Sequence, residues 1–520
     1  MSAIRKHSEF FSTVDAAWLH MEKPTNMAMI TGIMIFDEPL DFERLKATIE
    51  NRLLIYDRFR QRPVEPPFGL GLPRWETDPN FDLDWHLQRI KMPPPGDMIA
   101  LQDLVSEMMS TPLDFSRPLW QYHVVDGYAN GSALICRLHH CIADGLALVK
   151  VLLSMTDDSP DAPWPQAPEY QPRKLGRLAR MLVPAVKAAK MAEKTLRTSE
   201  MLLDEGYQTL VNPSRVLDIA RLGNSGTRAL GKLLLIPPDR KTIFRGKCCV
   251  SKHAAWSEPI NLQEVKSVGK LMGGTINDVL LSCVTGALRR YLEGRDQQVR
   301  GLNIRAVVPV SIRPEEDLDK LGNRFGLVFL SLPVGIADPI ERMIELKRRM
   351  DAIKDSSEAV VAFGILNAIG MTPVQIEDIV VKIFGMKGTA VMTNVPGPRE
   401  VIYLAGRPLR SLMFWVPQPG NLGMGVSILS YAGNVVLGIA TDANLVPDPE
   451  QIIADFHAEF KYLQQWGRPP QVDIPEAASI PFEAPRSSMN GRCQALTKEG
   501  NPCKNHARTG FTTCYAHRNL

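Results

Sequence analysis

The segment ALICRLHHCIADGLALVKVLL, from Ala133 to Leu153, places two adjacent histidines between a strand-like run and a helix-like run. The apolar residues before His139 predict a buried strand that is interrupted by Arg137, and the residues after Gly145 have the apolar spacing of a helix. Because successive strand residues point to opposite faces, we expect only one of the histidines to face a given cavity. The chain must therefore form a strand-to-helix junction that holds an imidazole in place, a position typical of reactive groups.

Length and composition narrow the class of protein. The chain has 520 residues, of which 45% are apolar and 22% are charged, and this composition is that of a folded globular protein with two domains or more. A formal net charge of +3 is too small to indicate a nucleic-acid partner. The eight cysteines are mostly scattered, which favours a reducing compartment such as the cytoplasm.

No segment predicts a membrane span or a signal peptide. The first 15 residues, MSAIRKHSEFFSTVD, lack the apolar core of a secretory signal. The longest uncharged stretch, 411–441, is interrupted by prolines and glycines, and its part MGVSILSYAGNVVLGIATD predicts two strands joined at the sequence AGN. We therefore expect a cytoplasmic protein that is soluble or binds a membrane surface peripherally.

Two proline-rich segments divide the chain. The predicted parts are a first α/β region, a linker with a helical connector, a second α/β region, a second linker and a small tail, at 1–156, 157–240, 241–466, 467–490 and 491–520. Within the connector, 173–197 has the pattern of a basic amphipathic helix bent at Pro184. Such a helix either packs on the body with a solvated basic face or attaches to an anionic lipid surface.

The histidine segment permits general-base chemistry. A neutral imidazole with a pKa near 7 is suited to removing a proton from an alcohol. Asp144, four residues after His140, could orient the imidazole or hold the loop, and Gly145 would allow a tight turn before the helix. Cys141 could be proposed as a nucleophile, but a small apolar filler is the favoured interpretation.

Two further segments partly match known functional motifs, but each lacks a required residue. GNSGT, which begins at Gly223, has Thr227 where the nucleophile elbow of a serine hydrolase requires glycine. GTRALGKL, from Gly226, has Leu233 where a phosphate-binding loop requires a serine or threonine. Neither a serine hydrolase nor a nucleotide-binding protein is predicted.

HHCIADG resembles the HHxxxDG signature of the coenzyme A-dependent acyltransferase superfamily, to which chloramphenicol acetyltransferase and peptide-synthetase condensation domains belong. Further segments occur in a characteristic order: VDAAWLHMEKPTNMAMITGIMIF, PLDFSRPLWQYHVVDG, GGTINDVLLSCVTGALRRYL, VVPVSIRPEE, LGNRFG and MTNVPGP. Together they resemble the bacterial wax ester synthase/diacylglycerol acyltransferase family over roughly residues 8–466.

This resemblance implies an α/β (α+β) fold in which two chloramphenicol-acetyltransferase-like lobes form a pseudo-dimer around a central tunnel. It implies that His140 is the catalytic base and that His139 faces away and shapes the site. Asp144, next to Gly145, would hold the loop through an arginine, for which Arg60 is the candidate. The residues expected to support the substrates or the site are Pro118, Leu119 and Trp120 along the acceptor channel, and Asn277 and Asp278 from the second lobe.

The resemblance also implies the reaction and the partners. The acyl donor would be acyl-CoA, the acceptor a diacylglycerol or long-chain alcohol, and the product triacylglycerol or wax ester, with no cofactor needed for the chemistry. Peripheral association with a membrane or lipid droplet follows from such substrates. Two alternatives are an acyltransferase with a polyketide or peptide acceptor and a non-catalytic lipid-droplet-binding protein.

The tail has a metal-ligand spacing. Cys493, Cys503, Cys514 and His517 form C-x9-C-x10-C-x2-H, which suits a closed tetrahedral zinc site, and His506 is an alternative fourth ligand. A segment this short cannot build a core by itself, so a structural zinc ion would supply its folding energy. The alternative is a disordered tail with incidental cysteines.

Overall fold

A computed structural model describes residues 8–67, 71–166, 235–314, 320–354, 358–369 and 374–466, together with 495–496 and 499–503. The chain divides into two compact units, Met1–Gly467 and Arg468–Leu520. The connector helix predicted over 173–197 lies outside the described residues. The first unit contains both α/β regions.

The strands, in chain order, are β1 (Ser8–Phe10), β2 (Met29–Phe36), β3 (Gln61–Val64), β4 (Arg74–Thr77), β5 (Leu87–Lys91), β6 (Trp120–Tyr128), β7 (Gly131–His139), β8 (Lys252–Trp256), β9 (Ile260–Asn261), β10 (Ile304–Ser311), β11 (Phe325–Leu332), β12 (Ala390–Pro396), β13 (Tyr403–Leu404), β14 (Arg407–Pro408), β15 (Ser411–Trp415), β16 (Met424–Tyr431) and β17 (Asn434–Asp442). The α-helices are α1 (Thr13–His20), α2 (Phe42–Thr48), α3 (Leu83–His86), α4 (Met98–Met109), α5 (Gly145–Met155), α6 (Leu262–Leu271), α7 (Ile276–Glu293), α8 (Pro339–Lys354), α9 (Glu358–Ile369), α10 (Val374–Gly385) and α11 (Pro449–Trp466).

Each region is built on its own mixed sheet. The first lobe has the strand order β15-β2-β7-β6-β5, and the second has β11-β10-β12-β16-β17-β8, with β9 paired to β17. All nine residues of β7 are buried, including Arg137, because both faces of this central strand are covered. The strand and the helix predicted around the histidines are therefore present as β7 and α5.

The predicted hairpin in the uncharged stretch is confirmed. β16 and β17 pair antiparallel from Met424↔Thr441 to Tyr431↔Asn434. The two residues that connect them, Ala432 and Gly433, have φ of 45° and 80°, as a two-residue hairpin turn requires. Most of both strands is buried, so the length and apolar character of 411–441 reflect a core hairpin.

The second region of the sequence contributes one strand to the sheet of the first lobe. β15 comes from the second region of the sequence but pairs antiparallel with β2 of the first lobe, from Ser411↔Ile35 to Trp415↔Thr31. Buried apolar residues from both lobes then form one continuous cluster, which includes Ile33, Ile135 and Val436. The shared strand and this cluster hold the inner faces of the two lobes together.

Among the described helices, no single one is both long and apolar enough to cross a bilayer. α6 and α7 pass that test only as a pair, and they meet at an angle of 93°.

Candidate active site

The two histidines of the HHCIADG segment are separated by their backbone hydrogen bonds. The His139 amide donates to the Leu119 carbonyl at 3.0 Å, whereas the His140 amide donates to the Ala28 carbonyl at 2.7 Å. The neighbouring residues therefore turn to different sides, as strand geometry predicts. His140 lies in the wall of a cavity, and His139 lies outside the lining with Nε2 3.5 Å from Glu22 Oε2.

The cavity that contains His140 has a volume of about 370 Å³ and is lined by both lobes. Most of its wall is aliphatic or aromatic, with Leu148 and Leu152 from α5 facing Val307 and Leu327 from the second lobe. Among the described residues, few polar side chains reach it: Tyr122, His140, Asp144, Ser311, Thr393 and Asn394. A narrow apolar space with few polar groups suits a long acyl chain and one reacting centre.

Aromatic rings hold the His140 imidazole. The Trp18 ring stacks on it with centroids 4.0 Å apart and an interplanar angle of 18°, and Phe325 approaches edge-on at 5.7 Å. Burial lowers the pKa of His140 to about 4, and the Asp144 carboxylate only partly opposes this shift. The imidazole is therefore neutral at pH 7, and its lone pair can accept a proton.

This pKa predicts the pH dependence of activity. Because the pKa of His140 is about 4 and lies below the ordinary value of 6.5, we expect kcat/KM to stay flat from about pH 7 down to about pH 5 and to fall below that. The stability that depends on neutral His140 is complete above 6.5 and is lost as the pH falls through 4. A kcat/KM profile measured with a soluble alcohol checks this. A decline centred on 6.5 would contradict it.

Asp144 connects the two lobes. One carboxylate oxygen, Oδ1, caps α5 by accepting from the Ala147 amide at 3.0 Å. The other, Oδ2, accepts from Arg313 Nη2 at 2.6 Å and from the Arg324 amide at 2.9 Å. The side chains of Asp144 and Arg313 are buried, with 7% and 1% of their surface exposed, respectively. Asp144 thus fixes the start of α5 and the loop of the second lobe at once.

The prediction that Asp144 pairs with Arg60 was wrong. Arg60 is exposed at the end of a short 3₁₀ turn, Asp57–Arg60, and the partner of Asp144 is Arg313 in the VVPVSIRPEE segment. Arg60 belongs to the first lobe, as Asp144 does, whereas the observed partner comes from the second lobe and depends on how that lobe docks.

Gly145 has a different role from the one predicted. Its φ is not positive, so the backbone does not demand glycine there. It lies in the cavity wall, where an added Cβ would be 3.9 Å from Val395 Cγ2. A methyl group at this position would meet only an ordinary van der Waals contact, so alanine should fit in the cavity wall.

The LGNRFG loop positions His140 from the second lobe. Asn323 Nδ2 donates to the His140 carbonyl at 2.8 Å and to Asp15 Oδ1 at 2.8 Å. Asp15 is fully buried on α1, one turn before Trp18. Its burial raises the pKa of this carboxyl against the opposing effect of Arg58. α1 and this loop therefore clamp the histidine turn from both sides.

The predicted acceptor-channel residues lie elsewhere. Pro118, Leu119 and Trp120 are buried in the first lobe and do not line the cavity. Trp120 stacks on His86 and donates from Nε1 to the Phe59 carbonyl, so it is a core residue. Leu119 affects the site through its hydrogen bond to His139.

Asn277 and Asp278 are placed at the start of α7. Asn277 is exposed, and its Oδ1 accepts from the amide of Asn394, which lines the cavity. Asp278 is buried and forms a capping box with Thr275, accepting from its amide at 2.7 Å. Asn277 thus contacts a lining residue, and Asp278 fixes the helix that presents it.

Cys141 is buried completely, and burial raises the pKa of its thiol well above the ordinary value. A thiol of this kind is protonated and a poor nucleophile. Of the predicted zinc ligands, only Cys503 lies in the described part of the chain. Cys493, Cys514, His517 and the alternative His506 lie outside it.

Residues that sequence reasoning left without a role complete the site: Asp15, Trp18, Arg313, Asn323 and Phe325. All lie in segments that carried the family resemblance. The sequence signal was therefore present, but their contacts with the histidine turn depend on chain separations of more than 100 residues.

His140 follows a buried strand and lines an apolar cavity between two mixed α/β lobes, an architecture of the chloramphenicol-acetyltransferase-like fold. A wax ester synthase/diacylglycerol acyltransferase from Marinobacter aquaeolei VT8 matches 88% of this chain and 100% of its own with a TM-score of 0.62 at 19% identity. The first condensation domain of the calcium-dependent antibiotic synthetase matches 90% of this chain and 97% of its own with a TM-score of 0.53 at 13% identity. The predicted fold of the two α/β lobes is confirmed.

The sequence comparisons are more specific. The wax ester synthase/diacylglycerol acyltransferase catalytic domain matches residues 11–280, and the C-terminal domain of the same family matches residues 321–464. The chain belongs to the wax ester synthase/diacylglycerol acyltransferase family. One relative, named probable diacylglycerol O-acyltransferase, is from Mycobacterium tuberculosis. It is 28% identical over 456 residues, which cover 85% of this chain and 92% of that protein. The predicted enzyme class, an acyl-CoA-dependent O-acyltransferase, is confirmed.

Proposed function

We propose that this enzyme transfers a fatty acyl group from acyl-CoA to the hydroxyl of a diacylglycerol or a long-chain alcohol, with His140 as the general base. One observation carries the proposal: the neutral imidazole of His140 lies in the wall of an apolar cavity that both lobes line. The named relatives act on acceptors of these kinds, which supports the same acceptors here.

The reaction needs no covalent enzyme intermediate. The lone pair of His140 takes the proton of the acceptor hydroxyl, and the oxygen attacks the thioester carbonyl carbon. The tetrahedral intermediate collapses, the carbon–sulfur bond breaks, and the leaving thiolate takes the proton from the imidazolium. The buried, protonated thiol of Cys141 supports direct attack over an acyl-enzyme. Ser311, Thr393 and Asn394 are the second-lobe side chains able to donate to the developing oxyanion.

The test is a competition assay with purified protein. Acyl-CoA is supplied with an equimolar mixture of a diacylglycerol and a long-chain alcohol, and free CoA and both esters are quantified. We expect CoA release that matches ester formation, and the product ratio identifies the native acceptor. No CoA release with either acceptor would refute the proposal and favour a lipid-binding protein. Transfer only to a carrier-bound polyketide or peptide would favour the other alternative.

We also propose that the enzyme associates peripherally with a membrane or lipid droplet in the cytoplasm. The proposed acceptors are membrane lipids, and the pattern of 173–197 supplies a basic amphipathic helix. Reversal of charges at Lys187 and Lys190 should then weaken binding to anionic vesicles.

We propose a structural zinc ion in the tail, held by Cys493, Cys503, Cys514 and His517. The spacing supports it, and so does a turn in the described part of the tail. The Cys503 amide donates to the Ala495 carbonyl at 2.9 Å, which brings Cys503 beside a residue two positions after Cys493 in the sequence.

Metal analysis of the purified protein tests whether the tail binds zinc. We expect one zinc ion per chain in protein purified without chelators, since three thiolates and an imidazole fill a tetrahedral site. Cys503→Ser should lose it, whereas Cys283→Ser, at a cysteine buried in the second lobe, should retain it. Zinc-free wild-type protein would contradict the proposal. Acyl transfer should be unchanged in Cys503→Ser.

A further inference from the structure

A basic surface lies on the second lobe beside the cavity. It consists of two segments, 236–247 and 380–387, and we name it the basic edge. Its exposed cations are Arg240, Lys241, Lys247 and Lys382, and Arg245 is half-buried. The only carboxylate within these two segments is that of Asp239, which is buried. The charge presented to solvent by the two segments is therefore entirely positive.

Hydrogen bonds hold the two segments together. Arg305 Nη1 donates to the Pro237 carbonyl and to the Lys387 carbonyl, both at 2.7 Å. The Asp239 amide donates to the Met386 carbonyl at 2.8 Å, and Asp239 Oδ2 accepts from the Thr389 hydroxyl at 2.7 Å. Asp239 is thus committed to bonds inside the lobe, and the cations that it attracts are Arg305 and the half-buried Arg245. The basic edge is a preformed feature of the lobe.

Apolar side chains project from the same surface. Ile383 is 40% exposed and Met386 is 46% exposed, on either side of the end of α10. Exposed aliphatic side chains flanked by lysine and arginine are typical of a surface that inserts shallowly among lipid headgroups. Their position among the cations is what distinguishes Ile383 and Met386 from the apolar side chains exposed elsewhere on the protein.

The basic edge and the cavity wall share one buried apolar cluster. Ile236 and Phe384 pack against a buried cluster that includes Val391 and Leu422, and these two cluster residues line the cavity. The end of α10 also touches the loop that carries Pro419, since a Cβ on Gly420 would lie 2.8 Å from the Val381 carbonyl. A lipid surface at the basic edge would therefore lie next to the acyl-transfer site.

We propose that the basic edge docks on an anionic phospholipid bilayer and brings the cavity to the lipid acceptor. The inference rests on the proposed function in one respect, that the acceptor is a membrane lipid. Charge complementarity selects the partner, because anionic leaflets attract clustered basic residues and exposed aliphatic side chains add apolar burial. The uncharged loop 417–422 lets the surface approach without repulsion.

Vesicle co-sedimentation of the full chain tests the docking. The variant Lys241→Glu/Lys382→Glu is compared with Lys270→Glu/Lys461→Glu, which reverses two exposed lysines outside the basic edge and changes the net charge equally. On phosphatidylcholine vesicles that contain phosphatidylglycerol, we expect the first variant to bind at least about tenfold more weakly than wild type. The control should bind within about twofold of wild type, and pure phosphatidylcholine should bind all three weakly.

The activity readout separates this inference from the proposed function. With a soluble short-chain alcohol, the basic-edge variant should turn over like wild type, and with vesicle-borne diacylglycerol it should be slower. Wild type inactive with every acceptor would refute the proposed function and leave the vesicle result valid. Equal vesicle binding of the two variants, or binding lost only in Lys187→Glu/Lys190→Glu, would overturn the basic edge. A raised KM for acyl-CoA with unchanged vesicle binding would overturn it too, in favour of a site for the CoA phosphates.

Discussion

Replacement of His140 by alanine is expected to lower kcat by about 100- to 10,000-fold, which is the contribution of a positioned general base. The imidazole is the only neutral base among the cavity-lining residues that the structure describes. The carboxylate of Asp144 also lines the cavity, but it accepts hydrogen bonds from Ala147, Arg313 and Arg324. The measurement is the release of free CoA from acyl-CoA with a saturating long-chain alcohol. KM for acyl-CoA should change little, because the imidazole acts in the transition state.

Two companion variants make this result interpretable. His140→Gln fills much of the space between Trp18 and Phe325 and cannot act as a base, so it should be as slow as the alanine variant. Cys141→Ala, at the adjacent buried position, should retain turnover within a few-fold. Activity of His140→Gln near that of wild type would remove His140 as the base. Loss of activity in Cys141→Ala with a normal unfolding transition would favour a thiol nucleophile instead.

Asp144→Ala should have the largest effect on stability, lowering the free energy of unfolding by about 3 to 5 kcal/mol. The substitution leaves the guanidinium of Arg313 buried without its carboxylate, and it removes the cap of α5. The loss of a helix cap alone costs about 1 kcal/mol, so most of the expected loss comes from the unpaired charge. Equilibrium denaturant unfolding with a fluorescence readout measures it.

Arg60→Met is the matched control for this prediction, since Arg60 is exposed and does not contact Asp144. We expect it to change the free energy of unfolding by less than about 0.5 kcal/mol. The double variant Asp144→Ala/Arg313→Met should be less damaging than the sum of the single ones, because the two charges are removed together. Additive losses would show that Asp144 and Arg313 act independently.

Several features of the site were predictable because they are local. The strand β7, the helix α5 and the divergence of His139 and His140 follow from apolar periodicity within about 20 residues. The hairpin of β16 and β17 follows from the AGN turn between two apolar runs. These features depend on neighbouring residues, so short stretches of sequence contain the information.

Features that span the lobes were not predictable in the same way. Arg60 and Arg313 both lie within the region of the family resemblance, and nothing in their local sequence favours one over the other as the partner of Asp144. The choice depends on the docking of the LGNRFG loop, which brings Arg313 and Arg324 to one carboxylate 169 and 180 residues away in the chain. The prediction that a channel is lined by Pro118, Leu119 and Trp120 was wrong for a related reason. These residues support the histidine segment from the core of the first lobe and do not line the cavity.

By itself, the sequence determined the histidine at the end of a buried strand, the aspartate that starts the next helix, and the family to which their pattern belongs. The tertiary structure decided which arginine meets Asp144, which aromatic rings enclose His140, and how burial between two lobes brings the pKa of that imidazole to about 4. The division has one physical cause. Strand and helix patterns arise from contacts between residues near in the chain, whereas desolvation and ion pairing depend on every group that folding brings around a site.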